Sequence, residues 1–243
     1  MPADGDGAAA AAAALPALDH GAASAFEEIP VVDMAPFVAW WRASGGRGEL
    51  DGPARATVTA VGEACRTVGF MVCANSGVPP ATMDAAMTAA KGFFAAPAAH
   101  KATASNTGDR CYRGYEAIGG DKEAWEMGRE LPAGQPLPLH GPNRWPSPEH
   151  DGEGFRSAME AYYTEAVRFA RCLLGAVCAA LELPADAMQA ETDAALAHLR
   201  LWRYQQGAAE AGLPEHTDHG FLTLLLQDGG GGLQARNLAG GWM

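Results

Sequence analysis

The segment Glu215 to His219 reads E-H-T-D-H and places an imidazole and a carboxyl group two positions apart. On a β-strand, side chains two positions apart point to the same face, so His216 and Asp218 would project together. One histidine nitrogen and one carboxylate oxygen are two members of the 2-His-1-carboxylate set, which binds Fe(II) and leaves positions open for other ligands. The spacing makes His216 and Asp218 a candidate pair of metal ligands, and a surface histidine beside an acidic residue is an alternative interpretation. A second alternative is a polar strand that holds no metal.

The residues around this pair are predicted to form short strands. The run L-R-L-W-R-Y from Leu199 to Tyr204 alternates with period two, as a half-buried strand does. Residues 214–219 and 221–227 read as further strand material, the glycines at 229–232 as a turn, and residues 233–236 as a returning strand. Strands this short are typical of an antiparallel arrangement, which would carry the candidate ligands.

The part of the chain before these strands is predicted to be mainly helical. In residues 154–183, apolar side chains recur at the i, i+3, i+4, i+7 spacing of an amphipathic helix. Helices first and strands later indicate an α+β fold. The other predicted elements are helices at 53–68 and 80–94, short strands at 26–33 and 70–74, and a loop-rich stretch at 98–150.

Composition divides the chain into three regions. Residues 1–25 form an alanine-rich segment that lacks the basic start of a signal peptide, and we predict a disordered tail. Residues 26–190 would be the N-terminal, mainly helical region. Residues 191–243 would be the first part of the β domain.

Charge and cysteine usage exclude some classes of partner and favour a compartment. The formal net charge of -12 opposes binding to phosphate backbones, so we expect no nucleic acid partner. No apolar run reaches the roughly 18 residues that would span a bilayer, so we expect no membrane partner. The five cysteines are odd in number and form no C-x-x-C motif, which favours reduced thiols and a cytoplasmic location.

Six separated motifs occur in the order found in one enzyme family. Around the candidate ligands the sequence reads L-P-E-H-T-D-H-G-F-L-T-L-L-L-Q-D, followed by G-L-Q and G-G-W. Over about residues 26–243, the chain resembles the isopenicillin N synthase-like branch of the Fe(II)/2-oxoglutarate-dependent dioxygenases. The other matching motifs are I-P-V-V-D at 29–33, G-F-M-V-C-A-N-S-G-V at 69–78, F-F-A-A-P at 93–97 with Lys101, R-G-Y at 113–115 and N-R-W-P at 143–146.

The resemblance implies a fold, two cofactors and a reaction. The β part would be a double-stranded β-helix, or jelly-roll, incomplete at its C-terminal end. His216 and Asp218 would bind Fe(II), and 2-oxoglutarate would be the co-substrate. With O2, the enzyme would hydroxylate or desaturate a small organic substrate and release succinate and CO2.

The resemblance also assigns a role to one strand residue. Tyr204 matches a tyrosine that often reaches the 2-oxoglutarate carboxylate, and the alternative is a core ring whose hydroxyl meets water. Arg200 and Arg203 lie on the same predicted strand. In some relatives an arginine here contacts the co-substrate, whereas solvated strand arginines are the alternative.

One departure from the family concerns its last motifs. The family carries a second histidine ligand and an R-x-S motif well beyond the first histidine, but here no histidine follows His219 and no arginine follows Arg236. We therefore expect a C-terminally truncated chain, inactive or impaired, that is a partial sequence of an enzyme. The alternatives are a non-catalytic truncated isoform or degraded relative, and a relative of isopenicillin N synthase that uses iron without 2-oxoglutarate.

Overall fold

The protein is described here by a computed structural model. The prediction of a disordered tail at 1–25 lies outside the described residues. No helix within the described part of the chain has the length and apolar character needed to cross a membrane. The described residues are 26–108, 111–119, 122–131, 137–150, 152–193, 195–204, 212–237 and 239–243.

Two short parallel strands open the fold. β1 (Val31–Asp33) pairs with β2 (Val72–Ala74) in a register that places Val32 opposite Cys73. The two strands run parallel because the chain between them crosses over through two helices, α1 (Ala35–Ser44) and α2 (Gly52–Thr67). The sequence prediction contained both strands and α2, but it missed α1.

Local signals explain where α2 begins and ends. The Asp51 side chain accepts a hydrogen bond from the Ala54 backbone nitrogen at 2.8 Å, which caps the first turn. Pro53 stands in that turn, where its missing N–H costs nothing. Gly69 follows the helix with a φ of 78°, a left-handed conformation that glycine adopts without strain. These signals lie close together in the sequence, so the helix was predicted within a residue of its bounds.

The remaining helices differ greatly in length. α3 (Pro80–Ala95), the short α4 (Ala98–Ala102) and α6 (Gln189–Thr192) accompany α5 (Gly152–Ala180), which has 29 residues. α2 and α3 both pack against α5. The apolar stripe predicted for residues 154–183 supplies the buried side of this packing, although the helix itself ends at Ala180.

A three-stranded antiparallel sheet occupies part of the region that was predicted to be loop. β3 (Gly114–Ala117) pairs with β4 (Lys122–Gly128), and β4 pairs with β5 (His198–Tyr204). β5 matches the predicted strand, whereas β3 and β4 were missed. Strand β4 carries charged residues on both faces, which hides the period-two pattern that sequence analysis depends on.

An aromatic cluster joins the sheet to the helices. The Trp125 ring of β4 is fully buried, and its centroid lies 4.8 Å from that of Phe155 on α5. Phe155 in turn stacks on Phe93 of α3 with centroids 4.8 Å apart. Trp145 covers Trp125 at 5.1 Å, and the Trp125 indole nitrogen donates to the Arg144 carbonyl at 3.1 Å. One face of the sheet therefore belongs to the core.

The prediction of strands at 214–219 and 221–227 is wrong, since neither segment forms a regular strand. Backbone in these segments is extended or bent, but no strand of the described residues pairs with it. Without the ladder of hydrogen bonds a partner provides, a strand-like sequence does not make a strand. In the segment predicted at 233–236, a single antiparallel bridge joins Arg236 to Trp242. The fold is a mixture of helix and sheet, as the α+β prediction required, and the jelly-roll core stays a prediction.

Candidate metal centre

His216 and Asp218 converge even though no strand holds them. The His216 Nε2 atom lies 3.3 Å from the Asp218 Oδ1 atom, and both side chains are half exposed. The prediction that a strand holds the two residues is therefore wrong, but their side chains do lie close together as expected. The segment brings an imidazole nitrogen and a carboxylate oxygen to one accessible point.

A backbone contact fixes the orientation of the His216 ring. The Nδ1 atom lies 2.8 Å from the carbonyl oxygen of Pro214. A carbonyl oxygen only accepts hydrogen bonds, so Nδ1 carries the proton and donates it. In the neutral ring, Nε2 then presents its lone pair toward Asp218. Metal-binding histidines use this arrangement, with one ring nitrogen donating to the protein and the other free for the metal.

The distance between the two atoms fits a shared ion. Metal–nitrogen and metal–oxygen bonds of about 2.1 Å at right angles place neighbouring ligand atoms about 3 Å apart. Nε2 and Oδ1 lie close to that spacing. Either a proton on Nε2 or a metal ion bound to both atoms satisfies the pair. Among the described residues, no group of three histidine, cysteine, aspartate or glutamate side chains is arranged to hold a metal. The pair alone accounts for two ligands.

An ion pair holds Glu215, the residue next to His216. The Arg236 Nη1 atom lies 3.0 Å from each carboxylate oxygen of Glu215. Arg236 itself lies in a chain reversal that is closed by two backbone hydrogen bonds, of 2.8 and 2.9 Å, between Ala235 and Met243. Its guanidinium lies 5.8 Å from the Trp242 ring centroid. Sequence analysis missed this ion pair, because nothing local links positions 215 and 236.

Tyr204 ends β5 and faces the segment that leads to the pair. A Cβ atom on Gly212 would lie 2.8 Å from the Tyr204 ring, so the glycine allows the close approach of this segment. The Tyr204 ring also stacks on Trp202 at 5.8 Å with an interplanar angle of 11°. Burial raises the pKa of the Tyr204 phenol, against the opposing effect of Arg200, so the hydroxyl remains a donor at neutral pH.

Arg200 lies on the same face of the sheet as Tyr204. Its guanidinium stacks 4.3 Å from the Trp202 ring centroid, and it lies 3.6 Å from a carboxylate oxygen of both Glu116 and Glu126. The interpretation of Arg200 as a solvated strand residue is therefore wrong. Arg200, Trp202 and Tyr204 form a row of stacked side chains on this face of the sheet.

Arg203 points to the opposite face and takes part in a buried polar cluster. It donates to the Glu123 carboxylate at 2.7 Å and to the Phe94 carbonyl at 3.2 Å. Lys101 and the Tyr115 hydroxyl also donate to Glu123. Arg203 is therefore not simply solvated either. Phe94 and Lys101 belong to one of the matching motifs and Tyr115 to another, and these contacts explain both motifs structurally.

The sequence is similar to proteins of known type. Residues 29–148 match the family described as non-haem dioxygenase in morphine synthesis N-terminal. The chain is 28% identical over 237 residues to the 2-oxoglutarate-Fe(II) type oxidoreductase hxnY of Emericella nidulans, covering 88% of this chain and 65% of hxnY. It is 29% identical over 247 residues to clavatol oxidase claD of Penicillium crustosum, covering 88% of this chain and 71% of claD. The chain therefore spans roughly two thirds of the length of these two relatives.

The fold is also similar to that of a solved structure. A full-length protein of Neurospora crassa, solved in complex with alpha-KG and 5-formyluracil, superposes with a TM-score of 0.76 at 27% identity. The superposition covers 91% of this chain and 70% of the Neurospora protein. Similarity in fold therefore extends over most of this chain.

Proposed function

We propose a reaction for this chain from its family. The chain belongs to the 2-oxoglutarate- and Fe(II)-dependent dioxygenases, and this membership confirms the resemblance of its motifs. Fe(II) and 2-oxoglutarate are the cofactors named for its relatives. The protein uses them with O2 to hydroxylate or desaturate a small organic substrate, and succinate and CO2 are the co-products. His216 and Asp218 are two of the iron ligands, within the first part of a jelly-roll core.

The convergence of His216 and Asp218 carries this proposal. The His216 Nε2 and Asp218 Oδ1 atoms lie 3.3 Å apart on an accessible surface. The Pro214 carbonyl accepts the hydrogen bond from Nδ1, so in the neutral ring the lone pair of Nε2 is available to a metal ion. Bound Fe(II) supplies redox chemistry with O2 at positions that the protein leaves open. The protein itself supplies the orientation of these two side chains.

Tyr204 is proposed to hold the co-substrate. Its hydroxyl stays protonated at neutral pH, so it can donate a hydrogen bond to a carboxylate of 2-oxoglutarate. The stacking of its ring on Trp202 fixes the direction in which the hydroxyl points. A cytoplasmic location also stays a prediction, supported by an odd number of cysteines that form no C-x-x-C motif.

Metal binding tests the ligand assignment. Under anaerobic conditions, Fe(II) binding is measured by equilibrium dialysis for the protein and for its His216→Ala, Asp218→Ala and His219→Ala variants. We expect the first two substitutions to weaken binding at least tenfold, since each removes a ligand. His219→Ala is the matched control, a histidine one residue beyond the pair, and it should bind as the unsubstituted protein does. Equal binding by all four proteins contradicts the assignment.

Addition of 2-oxoglutarate tests the co-substrate. We expect a metal-to-ligand charge-transfer absorption band that His216→Ala abolishes and that needs more 2-oxoglutarate in Tyr204→Phe. Succinate formed in the presence of O2 distinguishes the enzyme from a non-catalytic binding protein. Iron binding without any response to 2-oxoglutarate would instead favour an enzyme of the isopenicillin N synthase kind.

A further inference from the structure

A cavity lies in the helical part of the molecule, away from the candidate metal centre. It has a volume of about 220 Å³ and opens between α1, α5 and the turn after β2. Its apolar wall consists of Val38, Trp41 and Phe169, and its polar wall carries the guanidinium groups of Arg42 and Arg168. None of the lining residues comes from residues 198–243, so the cavity is separate from the proposed reaction.

Two positive charges are held close together at the cavity. Arg42 and Arg168 each donate from Nη2 to the same acceptor, the Gly77 carbonyl oxygen, at 3.1 Å. Their two donor nitrogens therefore lie no more than about 6 Å apart. The ion pair of Arg168 with Glu165 offsets one of these two charges, and an anion beside the guanidinium groups would offset the other.

The two guanidinium groups retain donors for such an anion. Each guanidinium has five N–H donors and uses one of them on Gly77. Arg168 also pairs with Glu165 along α5. Arg42 makes no ion pair with any residue that the structure describes. Planar guanidinium groups with spare donors favour a carboxylate, which they bind in a bidentate manner.

The other lining residues determine what the anion is attached to. Val38 and Phe169 are buried and Trp41 is half-buried, so the remaining wall offers apolar and aromatic surface. A cavity of about 150 Å³ holds benzene, so this one has room for one ring and a small acidic group. Burial raises the pKa of the Cys172 thiol in the wall to about 12, against the opposing effect of the two arginines, so the thiol adds no negative charge.

We propose that this cavity binds a small aromatic carboxylate. The ring lies against Phe169 and Trp41, and the carboxylate accepts hydrogen bonds from the N–H donors of Arg42 and Arg168 that Gly77 leaves unused. The apolar wall distinguishes this ligand from a free phosphate ion, which has no ring to bury. The arginines distinguish it from a neutral aromatic compound, which would leave the charge of Arg42 without a counter-ion among the described residues.

Benzoate is the probe that tests the proposal. Its binding to metal-free protein is followed by calorimetry and by saturation-transfer NMR of its ring protons, with benzyl alcohol and inorganic phosphate as separate probes. For a ligand of this size we expect a dissociation constant of about 1 mM. Benzyl alcohol and phosphate should each bind at least tenfold more weakly.

Substitutions test whether benzoate binds in this cavity. Arg42→Gln and Arg168→Gln should each weaken benzoate binding at least tenfold. Arg66→Gln is the matched control, since Arg66 forms an i, i+3 pair with Glu63 on an exposed helix face just as Arg168 does with Glu165. His216→Ala should also leave benzoate binding unchanged, and thermal melting of every variant checks that it folds.

Several results would overturn the proposal. They are the absence of saturable benzoate binding, retention of binding in the Arg42→Gln/Arg168→Gln double variant, loss of binding in His216→Ala, and binding of phosphate or benzyl alcohol as tight as that of benzoate. None of these results bears on whether Fe(II) binds at His216 and Asp218.

Discussion

At the scale of single residues, the carboxyl group of Glu123 is the centre of a buried network. Desolvation raises its pKa, but hydrogen bonds from Lys101, Tyr115 and Arg203 outweigh that effect, so the pKa of Glu123 lies below its ordinary value. The Lys101 side chain is only 8% exposed. Removing one partner of a buried ion pair leaves the other charge unpaired, at a cost of about 3–5 kcal/mol.

A pH series tests this assignment. Since the folded pKa is lowered, the contribution of Glu123 is fully present above the ordinary carboxyl pKa of about 4.3 and is lost as pH falls through the folded value. We expect Glu123→Gln to lower the free energy of unfolding most near neutral pH. The difference from the unsubstituted protein should shrink below about pH 4.3. Urea unfolding at several pH values measures it, and a constant difference contradicts the assignment.

Glu126 on the same strand provides a control of opposite sign. Burial raises its pKa, and the attraction of Arg200 and Arg113 only partly opposes that rise. A raised folded pKa means that the folded state binds the proton more tightly, so stability falls as pH rises from about 4.3 through the folded value. Glu126→Gln should remove this decrease. If both variants change the pH profile in the same direction, the electrostatic interpretation is wrong.

At the scale of elements, the ion pair between Glu215 and Arg236 links two irregular segments. Arg236 contacts neither candidate ligand, so it acts as a positioning residue through Glu215, the neighbour of His216. We expect Arg236→Gln to weaken Fe(II) binding by about tenfold. Arg236→Lys keeps the charge on a shorter side chain with a single donor nitrogen and should give an intermediate affinity. Dialysis with Fe(II) measures the effect, with Arg66→Gln as the control.

A merely structural role for Arg236 makes a different prediction. It would lower the melting temperature of Arg236→Gln and leave the Fe(II) affinity of the folded protein unchanged. A positioning role changes the affinity and leaves the melting temperature close to that of the control variant. The two measurements together therefore decide whether the ion pair serves the metal centre.

The elements also show what the sequence could predict. The bounds of α2 were predicted because Asp51, Pro53 and the apolar spacing are all local. Strand β4 was missed because Glu123 and Glu126 lie on opposite faces, and each pairs with cations from distant segments. We predicted that His216 and Asp218 converge because we expected a strand at these residues, and the structure has no strand there. A contact with Pro214, two residues away, orients the histidine instead.

At the scale of the whole molecule, the aromatic cluster connects the sheet with the helices. Trp125 is fully buried among Phe93, Trp145 and Phe155. Trp125→Ala should cost about 3–5 kcal/mol, because it removes a large buried ring and leaves a cavity. For a protein of this size, that cost lowers the melting temperature by about 10 °C. Calorimetry measures it.

Two further substitutions control that experiment. Trp125→Phe keeps most of the ring and should lose much less stability than the alanine variant. Leu181→Ala removes an apolar side chain that is 63% exposed, and it should leave the melting temperature nearly unchanged. Equal losses at positions 125 and 181 would mean that the cluster does not hold the two layers together.

The row formed by Arg200, Trp202 and Tyr204 gives the protein an optical signal of its own. An indole between a cation and a phenol emits light whose colour and yield depend on both neighbours, so we expect a molecule that contacts Tyr204 to alter the emission of Trp202. The difference between the spectra of the unsubstituted protein and Trp202→Phe isolates that emission from the other five tryptophans. Occupancy of this face can thus be followed without a dye, a label or turnover.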